Sequence, residues 1–573
     1  MGVRAIVNLP DMRDYNRVRE NLQNLEIPSR FNFGFDVVDR RATESPDKIA
    51  FISVDRSGES IEPTTFEQLK RKSNQVARAL LQLGVKKGDL ALLIIPRIPE
   101  WYESIVGCTK AGVVAMPGTN LLTAKDIEYR LNKSKASVAV VTAEHALKID
   151  SIIHNCPHLR HVIIIADKKK KEREKSAKNS AAEQKWREGW MDYETVVSAQ
   201  SPDGLSPDII PDQTSEDTML VYFTSGTTSF PKMVPRNHAY AYAQALTGKY
   251  WLDLGENDVH WTLSDTGWAK AAWGMLYPQW ISGATTVLYN GDTKFDPDIH
   301  LSLLEKLKIT TFCAPPTVYR VFAQMDLTRY DLSSLRHCVS AGEPLDPETM
   351  RVWKQHTDTD IYDGYGQTET ICIVANFRAN PIRPGSMGKP MPGIDVQVVS
   401  EEGDVVPDGE VGNIAVKITE TYPPGLFRGY YDDTKATDAV FKHGWYYTGD
   451  TAKRDKDGYL WFVGRSDDII TSSGYRISPF EVESALSEHP AVAEAAVVAK
   501  PDRIRGAIVK AFVILASGYA PSDELASEIQ THVKEVTAAY KYPREIEFRT
   551  SLPKTISGKI RRVELREEQQ QPQ

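Results

Sequence analysis

The chain has 573 residues, room for about three to five domains or one large body with a satellite, so a single small module is excluded. Hydrophobic residues make up 41% and charged residues 25%, with a mean hydropathy of −0.37, the balance of a chain that folds in water around a large core. Its 77 acidic against 69 basic residues give a formal net charge of −8, which leaves no global basic field to recruit nucleic acid.

The opening segment carries Asp11, Asp14 and Glu20 and has no apolar stretch of the length a secretory signal needs. No run of roughly 18 apolar residues is present to span a bilayer. The cytoplasm is therefore the expected compartment, with a processed organelle protein as the alternative, no integral membrane segment, and a monomer or homodimer in solution. Further along, a helix-like stretch from Thr65 to Gly84 alternates with apolar strand-like runs at Ala91–Ile95, Ser137–Thr142 and His161–Ile165. Such alternation predicts an α/β fold with doubly wound, mostly parallel sheets. The polar run from Lys168 to Glu188 interrupts it and reads as a solvated insertion.

After about residue 385 the composition turns rich in glycine, proline and short alternating segments, which predicts a β-rich subdomain over about 385–465. Beyond Ser466/Asp467, strands (Glu494–Val498, Lys510–Ile514) and helices (Pro479–Glu488, Asp523–Val536) alternate again in a small α/β unit. The division expected is a large domain, 1–466, and a small mobile C-terminal lid, 467–573. Five cysteines (Cys108, Cys156, Cys313, Cys338, Cys372) are scattered singly, without metal-ligand spacing, and read mostly as buried small hydrophobes in a reducing compartment.

The strongest local signal is Val221-Tyr-Phe-Thr-Ser-Gly-Thr-Thr-Ser-Phe-Pro-Lys232. Hydroxyls and free backbone N–H groups suit phosphate oxygens, and a lysine adds a compact positive charge. It is not the common nucleotide loop, because no glycine precedes Lys232 and Met233 follows it. Accompanying it in order are Ser340-Ala-Gly-Glu-Pro344, Tyr362-Asp-Gly-Tyr-Gly-Gln-Thr-Glu369, Tyr447-Thr-Gly-Asp450, Gly464-Arg465 and Pro553-Lys-Thr-Ile-Ser-Gly-Lys559. Taken singly, each admits a plain structural reading: a turn, a core aromatic at Tyr365, a helix cap at Asp450, a solvated lysine near the chain end.

Together, from about Phe35 to Arg566, they resemble the adenylate-forming superfamily of acyl-CoA synthetases, luciferases and adenylation domains. Ser473-Gly-Tyr-Arg476, Asp467 and Tyr540-Lys-Tyr-Pro-Arg544 look most like medium-chain acyl-CoA synthetases. The resemblance implies an acid–thiol ligase that joins a carboxylate to ATP, releases pyrophosphate, and exchanges AMP for the thiol of CoA. ATP, CoA and Mg2+ are the implied partners.

The resemblance assigns the β- and γ-phosphates to the loop Thr224, Ser225, Gly226, Thr227, Thr228 and Lys232. Thr368 would touch the α-phosphate and Glu369 would ligate Mg2+. Tyr365 would stack on adenine, opposite Gly342, Glu343 and Pro344, with Asp363 near the exocyclic amine and Gly364, Gly366 and Gln367 completing the wall. Asp450, supported by Arg465, would hold the ribose. Lys559, presented after Ser557-Gly558, would be the adenylation lysine. With Asp467 as hinge, the small domain would then swing to offer CoA a second face made of Ser473, Gly474, Tyr475, Arg476, Arg505 and Arg544. Ser229 departs from the glycine usual in that family's phosphate loop.

For the acid, Trp261, Trp268 and Trp273 fall within one short stretch, and Trp268 is the expected wall of the acyl pocket. Acetate-activating relatives carry tryptophan where this chain has Gly366, so the missing indole reads as open room. Straight medium-chain acids and cyclic acids such as benzoate or cyclohexane carboxylate both suit such a pocket. From other classes, a phosphotransferase releasing ADP or a non-enzymatic ligand-binding protein would share the hydroxyl loop.

Overall fold

The computed structural model describes residues 7–570 apart from 23–24, 167–185, 207, 225–230, 292–294, 344, 466–467, 469, 473–474, 503–504, 538–540 and 555–558. Most of the interrupting polar run, together with the expectations for Ser225, Gly226, Thr227, Thr228, Ser229, Pro344, Asp467, Ser473 and Gly474, lies outside the described residues.

Two large sheets form the body. The first runs, from edge to edge, through Met191–Asp192, His161–Ile165, Val138–Thr142, Leu90–Ile94, Val114–Pro117, Thr218–Phe223 and Met233–Asn237. All its pairings are parallel except the last, a hairpin. Strand Leu90–Ile94 is buried along its whole length, which is why it reads as an unbroken apolar run. Helix Phe66–Gln82 covers this core with Leu69, Val76, Ala77 and Leu80, and a reciprocal Thr65/Gln68 capping box starts it.

The second sheet has nine strands. Its parallel centre runs through Ile361–Gly366, His337–Ala341, Thr311–Ala314, Val259–Thr262, Thr285–Tyr289 and Ile49–Val54. The carboxyl ends of the first four lie side by side and open a crevice of the kind in which α/β sheets bind ligands. The sheets meet tightly there: a Cβ on Gly267, just after Val259–Thr262, would lie 2.0 Å from the backbone N of Thr119. Because the obstacle is backbone of the other sheet, Gly267→Ala is expected to cost about 1–3 kcal/mol or more. Thermal denaturation checks this, and an unchanged Tm would contradict it.

The hairpin-rich segment forms an antiparallel five-stranded sheet of Val396–Val399, Val411–Lys417, Phe441–Lys442, Trp445–Arg454 and Leu460–Arg465. After it, the hairpin Ile470–Ser472/Tyr475–Ile477 leads into a three-stranded sheet of Val492–Asp502, Gly506–Leu515 and Glu545–Phe548. Helices Pro479–Ser487 and Asp523–Val536 accompany that sheet around a core of its own, with Ile477, Val482, Leu486, Val497, Val513, Ile529 and Val533. Ser478 donates to the Val463 carbonyl, and Arg566 pairs with Asp468 at 2.9 Å. All five cysteines are free and buried, and among the described residues no helix is long and apolar enough to cross a membrane.

Candidate active site

The sequence motifs converge on the crevice. Strand Ile361–Gly366 delivers Asp363, Gly364, Tyr365 and Gly366, and a tight turn, with Gln367 N donating to Thr370 Oγ1 at 2.9 Å, presents Thr368 and Glu369. Strand Trp445–Arg454 supplies Asp450, paired in register with Arg465.

Asp450 is the hub. The Tyr365 hydroxyl donates to its Oδ2 at 2.6 Å and Gln367 Nε2 to the same oxygen at 2.8 Å. Tyr446 fixes that amide by donating to Gln367 Oε1 at 2.8 Å, and Arg465 Nε stands 4.0 Å from Oδ1. Burial pushes the Asp450 carboxyl up, and Arg465, the Tyr365 hydroxyl, Lys559 and Gln367 each oppose the shift. Asp363 is likewise buried and pushed up by desolvation, against the Gly364 and Leu345 backbone amides.

The residues expected at the phosphates form a second group. Thr224 N donates to the Lys232 carbonyl at 2.9 Å, and Lys232 N to Thr224 Oγ1 at 3.3 Å, closing the neck of the hydroxyl loop. The Lys232 ammonium lies 4.7 Å from the centre of the Tyr430 ring, and the Tyr430 hydroxyl donates to Glu369 Oε1 at 2.9 Å. Buried Arg236 and the Phe427 amide hold the Glu369 carbonyl at 2.7 and 2.9 Å. Desolvation raises the Glu369 carboxyl, and among the described residues no cation pairs with it. A buried carboxylate of this kind has the chemistry to hold a hard cation that completes its shell with water.

Gly342 closes strand His337–Ala341 at φ +109°, in the region that favours glycine. Glu343 stands 4.0 Å from Arg320. Gly364 lies against Trp251, whose ring a Cβ there would meet at 2.4 Å. The inference drawn from bare Gly366 needs correction: its Cβ would lie 2.4 Å from the Ile371 carbonyl oxygen. A close backbone approach at a bulge accounts for the glycine, so the missing side chain is not itself evidence of an open channel. Half-buried Trp268 caps helix Ala269–Met275, and Trp273 packs on Trp251 with ring centres 5.2 Å apart.

Lys559 is exposed. It leaves a loop closed by the Lys554–Ile560 bridge and by Arg561 N donating to the Pro553 carbonyl at 2.8 Å. Its charge nevertheless acts on Asp450 and Lys270 in the crevice. Arg505 precedes strand Gly506–Leu515, and Arg544 precedes Glu545–Phe548 and donates to the Tyr542 hydroxyl at 3.0 Å. The side chains of Tyr475 and Arg476 lie outside the described ones. Tyr430, Arg236, Tyr446 and Lys270 were not singled out by the motifs.

Residues 38–431 match the family model described as AMP-binding enzyme, and 481–559 match AMP-binding enzyme C-terminal domain. The chain belongs to the AMP-binding enzyme family. It is 43% identical over 565 residues to human acyl-coenzyme A synthetase ACSM3, mitochondrial, covering 97% of this chain and 92% of that one. With mouse acyl-coenzyme A synthetase ACSM4, mitochondrial, identity is 42%, over 99% and 94% of the two chains. Among solved structures, the anthranilate CoA ligase AuaEII in complex with anthranoyl-AMP aligns with a TM-score of 0.83 at 34% identity, covering 95% and 98%. A benzoate CoA ligase from Burkholderia xenovorans LB400 aligns at 0.78 and 29%, covering 94% and 100%. This member of the family is an AMP-forming acyl-CoA synthetase, with ATP and CoA as co-substrates.

The relatives named as mitochondrial overturn the cytoplasmic expectation.

Proposed function

We propose that the acid activated is a medium-chain aliphatic or a cyclic or aromatic monocarboxylic acid, bound in the crevice against Trp268 and Trp273. The Tyr365–Asp450–Gln367 cluster standing within the field of Lys559 supports adenylation in this crevice, and the tryptophans beside it, with Trp273 packed on Trp251, support an apolar acid. The anthranilate and benzoate ligases among the structural neighbours support a flat ring as body of the acid. Thioester formation across a panel of aliphatic and aromatic acids tests this. Acetate as the best substrate would refute it.

In this reading Asp450 accepts from the ribose hydroxyls, Tyr365 stacks on adenine, and Asp363 faces the exocyclic amine. Gly342 and Glu343 line the opposite face, and Arg465 steadies Asp450. Thr224 to Lys232 and Thr368 hold the phosphates. Glu369 would hold Mg2+, which supplies positive charge against that developing on the phosphates. The acid's carboxylate oxygen bonds to the α-phosphorus as the bond to pyrophosphate breaks, and Lys559 offsets charge building on the α-phosphate. The domain division falls at 466/467, and rotation about Asp467 then withdraws Lys559 and brings Gly474, Arg476, Arg505 and Arg544 toward CoA, the arginines serving its phosphates. The protein works as a monomer or homodimer in the compartment of its mitochondrial relatives.

Tyr430 positions both phosphate-side groups, its hydroxyl on Glu369 and its ring beneath Lys232. Tyr430→Phe keeps the ring and loses the hydroxyl. It is expected to raise the Mg2+ needed for half-maximal ATP–pyrophosphate exchange several-fold, leaving KM for the acid unchanged. An unaltered Mg2+ titration would contradict that role.

A further inference from the structure

One half-buried charge in the crevice has no part in the reactions above. Lys270 lies in helix Ala269–Met275, between Trp268 and Trp273. Its Nζ donates to the Ala341 carbonyl at 2.9 Å and stands 6.0 Å from the Trp273 ring centre. A Cβ on Gly342 would sit 3.5 Å from Nζ, an ordinary contact distance that places the ammonium beside this turn.

Among the described residues Lys270 forms no salt bridge and has Ala341 O as its one hydrogen-bond acceptor. Glu343 acts on it only from a distance, while standing 4.0 Å from Arg320. An ammonium has three donors, and a cation partly withdrawn from water without a counter-ion gains from one that a ligand supplies. Desolvation pushes the Lys270 ammonium toward its neutral form, partly opposed by Cys313, and the like charge of Lys559 adds to that push. Two cations that disfavour each other favour an anion that both can reach.

We propose that Lys270 binds the carboxylate of the acid substrate, sharing it with Lys559. The inference rests on the reading of the crevice as the acyl site. The α-phosphate is the other anion at hand, but the phosphate-side residues Lys232, Glu369 and Tyr430 form a separate group, whereas Lys270 keeps company with the tryptophans. The carboxylate oxygen forms its bond to the α-phosphorus as pyrophosphate leaves. No proton moves, so Lys270 keeps its charge and orients the nucleophile. After Lys559 withdraws, Lys270 remains to hold the acyl carbonyl oxygen for thiol attack.

The test compares wild type with Lys270→Met and Lys270→Arg, using ATP–pyrophosphate exchange with octanoate and with benzoate. Lys270→Met is expected to raise KM for each accepted acid by roughly tenfold or more, about 1.4 kcal/mol, with KM for ATP and the Tm unchanged. Lys270→Arg should fall between. Acid KM unchanged, or KM for ATP rising alone or in step with that for the acid, would overturn the assignment. Should Lys270→Met fail to fold, Lys270→Gln, which keeps a donor without the charge, carries the same comparison. Absence of acid-dependent exchange in the wild type would instead refute the acyl-site reading itself.

Discussion

Lys559→Ala is expected to lower acyl-adenylate formation by about a hundredfold to a thousandfold, the range seen when one preorganised donor to a developing charge is lost. Thioester formation from supplied acyl-adenylate and CoA should be retained. The lysine sits on a loop of the small unit, yet its charge acts on Asp450 and Lys270 in the large body. A group delivered to the crevice from another unit serves the step performed in that arrangement. Lys559 is exposed and so contributes little to packing, and the Tm should hold. Measuring the two half-reactions separately decides the matter, and equal losses in both would contradict the assignment.

Glu369→Gln is the second large effect. The replacement amide fits the same space, because the backbone is held by Arg236 and Phe427 and the side chain by Tyr430. What disappears is a negative charge that burial already disfavours. Thermal stability should therefore stay level or rise, while exchange activity falls by at least about tenfold. The Mg2+ requirement should move upward, which a fold defect would not produce. A titration of exchange rate against free Mg2+, paired with a melting curve, checks both. Loss of Tm with an unchanged Mg2+ requirement would place Glu369 in the scaffold rather than at the phosphates.

Local pattern carried the fold well. The run His161–Ile165 is a strand over the same residues, and Asp523–Val536 is a helix with the expected bounds, because both have a single face or core to satisfy. The ordered motifs likewise located Tyr365, Asp450 and Glu369. Their partners were not legible: Asp450 lies 85 residues beyond Tyr365 and Tyr430 lies 61 beyond Glu369, distances that only the sheet topology closes. Lys270 carries no signal in sequence, since a lysine between tryptophans reads as the polar side of a helix until the fold sets it against the Ala341 carbonyl. Gly366 misled for the opposite reason. A missing side chain suggests space, and only the backbone of Ile371 shows what occupies it.

The most direct measurement is carboxylate-dependent exchange of radiolabelled pyrophosphate into ATP, with the nucleotide product identified once CoA is added. Exchange without CoA, followed by stoichiometric AMP and acyl-CoA on its addition, is the expected result. Release of ADP, or exchange that requires no carboxylate, would contradict an acyl-adenylate intermediate.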